Sequence, residues 1–261
     1  MIGNKIIQLD RVDSTNIYAG TILDREDHEE GTVFRAIEQF AGKGQQDHKW
    51  ESESGKNLTF TVLLKPVFLT ASRQFMLNKA IALGVVDFVN DSLLKSSFCQ
   101  KDHNSQNSLP VVTIKWPNDI YAGDKKIGGI LIEHRIMGQT ISATLAGIGI
   151  NINQTRFDPE IPNPVSMIHL IHNEMVLADA LSSVCQSLDH RYETLKEFGS
   201  ECLDKSFNQH LLGLGQWRNY SRQGFVFEGK IIGVDDIGRL KVENRDGKCL
   251  HFDHKEVEYI L

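Results

Sequence analysis

Gly147-Ile148-Gly149-Ile150-Asn151-Ile152-Asn153 has a two-residue period. Extended backbone sends successive side chains to opposite faces. Ile148, Ile150 and Ile152 therefore form one apolar face, to be packed under helices, and Gly147, Gly149, Asn151 and Asn153 form the other. Glycines inside a strand cost stability unless another group must approach the main chain. The stretch predicts a strand buried on one side and approached by a ligand on the other.

Working outward, Lys126-Ile127-Gly128-Gly129-Ile130-Leu131-Ile132-Glu133 reads as a second strand. Strict alternation puts Lys126 on the face of Gly128, with Lys125 pointing the other way. An ammonium beside bare glycine suits a carboxylate or phosphate lying against the sheet; a solvated strand end is the plainer reading. In Lys115-Trp116-Pro117-Asn118-Asp119, Pro117 cannot donate to a ladder and ends a strand. Lys115, Asn118 and Asp119 then sit at a strand end, where binding groups collect, although an Asn-Asp turn between strands accounts for the same residues. The loop from Gln39 through Gly42-Lys43-Gly44-Gln45 to Trp50 pairs glycines, which let N–H groups reach an anion, with a mobile cation. It lacks the GK[ST] ending of a Walker loop. Trp50 can stack on a planar base or simply anchor a surface loop.

Between these stretches, strands are expected at Lys5–Asp10, Thr32–Gln39, Asn57–Lys65, Val111–Trp116, Lys126–Arg135 and Thr140–Asn153. Asp13 or Ser14 is placed to cap a helix over Thr15–Leu23. Phe75, Ala80, Leu83, Val86 and Leu93 give Ser72–Leu94 a helical buried face. Lys95–Pro110 is polar and aperiodic, hence a surface loop. Helices are expected over Met175–Phe198 and Cys202–Leu212. From about residue 214, short β-like runs (Gly224–Val234, Leu240–Val242, Cys249–Phe252, Val257–Ile260) alternate with turn signals such as Asp246-Gly247, which predicts a small β-barrel. The expected units are 1–212 and 213–261.

The 261 residues are 41% hydrophobic and 24% charged, enough for a sizeable core. A net charge of −6 argues against nucleic acid bound over the whole surface. No run approaches the roughly 18 apolar residues of a membrane span, and Met1–Lys5 does not open a secretory signal. Four scattered cysteines without a CxxC pair fit free thiols in a reducing cytoplasm. The pairs His169/His172 and His251/His254 lack the further ligands of a zinc site.

Taken in order, these stretches resemble the catalytic module of biotin protein ligases. Asp13-Ser14-Thr15-Asn16 matches the entry motif of that family, residues 42–50 its adenylate loop, and Lys115–Asp119 its KWPND motif. Lys126–Glu133 is similar to its K-x-x-G-I-L-x-E strand and Gly147–Asn151 to its G-x-G-I-N strand. The resemblance implies an α+β fold, with a central mixed β-sheet flanked by helices and a C-terminal SH3-like β-barrel. It also implies a two-step reaction. ATP and biotin, with Mg2+, give biotinyl-5′-AMP, and a lysine of a biotin carboxyl carrier domain then takes the biotinyl group.

By the same resemblance Ser14, Thr15, Asn16 and Gln39 bind the biotin rings. Gly42, Lys43, Gly44 and Gln45 cradle the biotin carboxylate and the phosphates, while Trp50 and Asn151 serve adenine. Lys126, beside Gly128, bridges biotin carboxylate and α-phosphate as the first choice for catalysis. Lys115, Asn118 and Asp119 orient phosphate, magnesium or the incoming amine, and the metal ligands stay unassigned. Lys43 and Gln45 stand where the family commonly carries arginine, and Asp47 where it carries glycine, so phosphate contacts are expected to be less directional. The family's DNA-binding domain has no room before Asp13, so no nucleic-acid or membrane partner is expected; a homodimer is compatible. A lipoate ligase and a non-catalytic scaffold that binds a vitamin or nucleotide are the alternatives.

Overall fold

The computed structural model describes residues 1–45, 49–99 and 109–260. Seven strands, β1 (Ile6–Val12), β2 (Val33–Gln39), β3 (Leu58–Leu64), β4 (Val112–Lys115), β5 (Asp119–Ala122), β6 (Lys125–Met137) and β7 (Thr140–Ile150), form one sheet. Its order is β1-β2-β3-β7-β6-β5-β4. β1 and β2 are parallel, joined through helix α1 (Thr15–Leu23), and the other neighbours are antiparallel. The sheet is mixed, as the sequence led us to expect.

Every residue of β3 is buried, because both faces of the sheet are covered there. Leu58, Phe60, Val62 and Leu64 enter the main core with Leu77, Ile81, Val85 and Phe88 of helix α2 (Phe75–Cys99). Leu63 points the other way and packs with Ala19 of α1, Phe34 and Leu145. β7 obeys the same alternation. Ile148 and Ile150 pair with Phe60 and Leu58 and lie in the main core, so Gly147 and Gly149 look toward the α1 side.

Helix α2 begins at Phe75 and runs to Cys99, one turn into the stretch expected to be a loop; residues 100–108 of that stretch lie outside the described residues. Helix α4 (Leu177–Phe198) covers its outer side. Contact is close because Gly84 has no side chain: a Cβ there would stand 2.9 Å from Leu188 Cα. Arg191 Nε and Nη2 donate to Asp87 Oδ2 and Oδ1 at 2.6 and 2.9 Å across the same joint. Strand β5 and the short helix α3 (Met167–Ile171) were not anticipated. Both are too short for periodicity to declare itself, and β5 follows at once on the proline that ends β4.

After helix α5 (Glu201–Gln209), the strands β8 (Trp217–Arg222), β9 (Phe225–Val234), β10 (Leu240–Asn244), β11 (Cys249–Phe252) and β12 (Glu258–Tyr259) form an SH3-like antiparallel sheet ordered β11-β10-β9-β8-β12. Strand β8 is an addition to the sequence reading. The segment after α5 runs along edge strand β4, and the turn between β9 and β10 meets Trp116 just beyond it. Ile114 N–H donates to His210 O (2.7 Å), Leu212 N–H donates to Ile114 O (2.9 Å), and Trp116 Nε1–H donates to Gly238 O (2.9 Å). That edge is therefore covered rather than exposed. Among the described residues no helix is long and apolar enough to cross a membrane.

Candidate active site

Helix α1 covers only part of its face of the sheet. Beyond its N-terminus the same face forms a cavity of about 470 Å3. Ser14, Thr15, Asn16 and Gln39 line one end, and Lys43, Gly44, Gln45, Lys49 and Trp50 form a flap. Lys115, Asn118, Asp119 and Lys126 form the opposite wall, over a floor that includes Gly129, Gly147 and Gly149.

The entry motif is held by its own Asp13 and by groups outside it. Ser14 is the N-cap residue, but its side chain makes no cap bond, contrary to expectation. Its own N–H donates to Asp13 Oδ1 (2.7 Å), and Thr15 N–H donates to Gln39 Oε1 (2.8 Å). Asn16 is buried, and its polar atoms are engaged within the protein. Nδ2 donates to Leu131 O (3.2 Å) and Glu133 Oε2 (2.8 Å), and Oδ1 is hydrogen-bonded to Thr61 Oγ1 (2.6 Å), itself 2.8 Å from Thr15 Oγ1. Asn16 thus locks α1 to β3 and β6 while showing its flank to the cavity.

The glycines admit protein side chains first. A Cβ on Gly147 would overlap the Asn16 amide, and one on Gly149 would overlap the indole of Trp50, 2.6 Å from Nε1. Trp50 also lies over Gly129, where a Cβ would be 3.1 Å from Cζ3. The groups approaching this main chain are therefore Asn16 and Trp50, which in turn face the cavity. Trp50 Nε1 and Gln45 Oε1 are buried with no hydrogen-bond partner among the described residues.

Three expected residues are placed elsewhere. A bulge at Ile127 pairs Tyr121 with Lys126 but Ile120 with Gly128. This reverses the alternation: Gly128 turns to the core side, against Ile120 and Ile150, and Gly129 takes the cavity side with Lys126. Asn151 falls just past the end of β7, is buried, and donates from Nδ2 to Val165 O (3.0 Å); it does not line the cavity. Gly42 lies behind the flap, accepting Trp50 N–H at 2.9 Å, where a Cβ would overlap Trp50 O. Gln46, Asp47 and His48 lie outside the described residues.

On the opposite wall, Lys126 Nζ lies 2.8 Å from Asp119 Oδ1 and 5.8 Å from the centre of the Trp50 ring. Asp119 pairs directly with Lys115 across the β4–β5 hairpin, which puts their side chains on one face. Burial pulls the Lys115 ammonium below the ordinary lysine range; the Asp119 charge opposes this and the Lys126 charge adds to it. Burial, reinforced by Asp119, pushes the Tyr121 hydroxyl up to about 12. Asn118 Nδ2 donates to Ile130 O (2.8 Å), and Ile130 N–H donates to Asn118 O (3.0 Å), which pins the turn after Pro117 to β6. The sequence reading missed the last wall altogether: His254, Lys255 and Val257, between β11 and β12, and Glu258 and Tyr259 of β12 also line the cavity. They meet it across more than a hundred residues of chain, a distance at which local patterns are silent.

The family model described as the biotin/lipoate A/B protein ligase family matches residues 9–151, more than half of the chain and every strand of the first sheet that lines the cavity. The chain belongs to this family. Over its length the ligase is 29% identical to the biotin–[acetyl-CoA-carboxylase] ligase of Paracoccus denitrificans, with 92% of this chain and 95% of that one covered. It is 27% identical to the bifunctional ligase/repressor BirA of Bacillus spizizenii, covering 95% of this chain and 72% of the relative. Its fold matches the biotin protein ligase of Aquifex aeolicus, solved in complex with biotin and ATP, at TM-score 0.76 and 22% identity, over 98% of this chain and all of the other.

Proposed function

We propose that this ligase joins biotin to ATP in the cavity, forming biotinyl-5′-AMP and pyrophosphate, and then passes the biotinyl group to a lysine on the carrier domain of a biotin-dependent carboxylase in a reducing cytoplasm. The observation that carries the reading is the convergence of Lys126, Lys115 and Asp119 on one wall, facing a glycine-bearing flap that carries Lys43 and Trp50. A free carboxylate is a poor acylating agent, and adenylation gives it a good leaving group. In the first step a biotin carboxylate oxygen attacks the α-phosphorus and pyrophosphate departs. In the second, the carrier amine attacks the biotinyl carbonyl carbon and AMP departs.

Ser14, Thr15 and Gln39 bound the end of the cavity assigned to the biotin rings, with Asn16 as its buried support. Lys126 is assigned the junction of carboxylate and α-phosphate, where negative charge grows in the first step. A cation fixed there stabilises the transition state more than the ground state. In the free protein Asp119 holds that ammonium in place. Lys43, Gly44 and Gln45 supply charge and main-chain donors to the phosphates, with Gly42 shaping the loop, and Trp50 offers its face to adenine. The unpartnered Trp50 Nε1 and Gln45 Oε1 fit a ligand that both accepts and donates hydrogen bonds. Gly128 and Asn151 keep a structural share only.

Among the described residues no cluster of three His, Cys, Asp or Glu converges to hold a metal ion. Mg2+ characteristically relies on one or two carboxylates plus substrate phosphates. Asp119 fits as that carboxylate, and the ion would offset phosphate charge.

Pyrophosphate release measured with ATP, Mg2+ and either biotin or lipoate tests the choice of acid; release with lipoate alone would overturn it. Mass spectrometry of a carrier domain incubated with protein, ATP and biotin should show one added biotinyl group. Tight biotin binding without any mass shift would leave a scaffold instead.

A further inference from the structure

Lys115 is flanked by tyrosines from two different sheets. Its Nζ lies 5.6 Å from the ring centre of Tyr121 in β5 and 5.5 Å from that of Tyr259 in β12. Tyr259 is itself fixed, paired with Tyr220 across β8 and β12 and set edge-on to that ring with centres 5.5 Å apart. The neighbouring Trp116 binds the second sheet through Gly238 O and lies edge-on to His254 at 6.0 Å. Residues 115 and 116 are thus both cavity wall and docking ledge for the C-terminal sheet. A lysine has four rotatable methylenes and a strongly hydrated head, so at an open cavity mouth it would sample many positions. An aromatic face attracts the cation and excludes water on that side.

We propose that Tyr259 is the positioning residue for Lys115: docking of the C-terminal sheet places this ring against the ammonium, and the two tyrosines together aim it at the phosphate and acyl chemistry beside Asp119 and Lys126. The proposal rests on the reading of the cavity as the adenylation site. The lowered Lys115 titration is in keeping with the water exclusion the rings provide.

The test compares Tyr259→Leu, Tyr259→Phe, Lys115→Ala and the Tyr259→Leu/Lys115→Ala pair in biotin-dependent pyrophosphate release. Tyr259→Leu should lower kcat about tenfold while the KM for biotin stays within about twofold. Tyr259→Phe, which keeps the ring, should stay within about twofold of the parent. In the Lys115→Ala background Tyr259→Leu should cost nothing more, because its effect runs through that side chain. Additive losses, or Tyr259→Phe falling as far as Tyr259→Leu, would overturn the proposal. A readout independent of turnover is the NMR signal of Lys115 after reductive 13C-methylation, assigned by its loss in Lys115→Ala. It should be ring-current shifted in the parent and Tyr259→Phe and lose part of that shift in Tyr259→Leu; an unchanged shift overturns the contact. If the parent releases no pyrophosphate with biotin, the adenylation reading falls, and the NMR comparison still decides whether Tyr259 holds Lys115.

Discussion

Replacing Lys126 with alanine should separate chemistry from folding. Its ammonium is 2.8 Å from Asp119 Oδ1, and the two side chains are 30% and 23% exposed. At an effective dielectric of about 20, the gross attraction at that distance is roughly 6 kcal/mol. Desolvation and competing water cancel most of it in a pair this accessible, leaving on the order of 1 kcal/mol or less of net stability. Asp119 also keeps Lys115 as a second cation on its face, which limits the penalty of an orphaned carboxylate. A melting temperature lower by only about 2–4 °C is therefore expected. Catalysis depends on the same charge differently. Removing one fixed donor from a developing oxyanion typically costs about 10²–10³ in rate. Single-turnover pyrophosphate release with saturating biotin and ATP should fall by about that factor in a protein that melts almost normally. A loss under about tenfold, or one matched by the unfolded fraction in the melt, would refute the assignment of Lys126 to the reacting centre.

Gly149→Ala should push the indole of Trp50 off the sheet, since strands on both sides hold the backbone and the ring must yield. The KM for ATP is expected to rise about tenfold or more with little change in melting, as steady-state kinetics and calorimetry would show. Asn16→Ala removes partners from Leu131 O, Glu133 and Thr61 at a buried joint and should destabilise by about 1–3 kcal/mol, read from denaturant unfolding. Lys115→Met probes pH. Burial lowers the folded-state pKa of Lys115, so just below its ordinary lysine range the unfolded chain binds the extra proton. Wild-type stability should gain relative to the methionine variant as pH rises through that window, and an opposite trend in melts between neutral pH and pH 10 would contradict the burial argument.

Much of the fold was legible because its signals are local. The run Leu58–Leu64, buried on both faces, the alternation of Gly147–Ile150 and the apolar spacing of α2 all lie within single elements and need no distant partner to be read. The site was legible as a set of motifs, yet alternation alone misassigned Gly128. A single inserted residue, Ile127, reverses every side chain after it, and no composition announces a bulge. Asn151 leaves the alternation for a related reason: the strand ends one residue before it, and its amide donates to the Val165 carbonyl.

The sequence by itself determined which residues could form sheet and helix, where cations and glycines are concentrated, and the family to which those stretches point. Tertiary structure alone decided that Asn16 and Trp50 fill the spaces left by Gly147 and Gly149, that Gly129 rather than Gly128 faces Lys126, and that Tyr259 closes on Lys115. The physical reason is range. Backbone preference and periodicity act over a few residues, whereas these contacts depend on a strand register and on the docking of two sheets brought together from opposite ends of the chain.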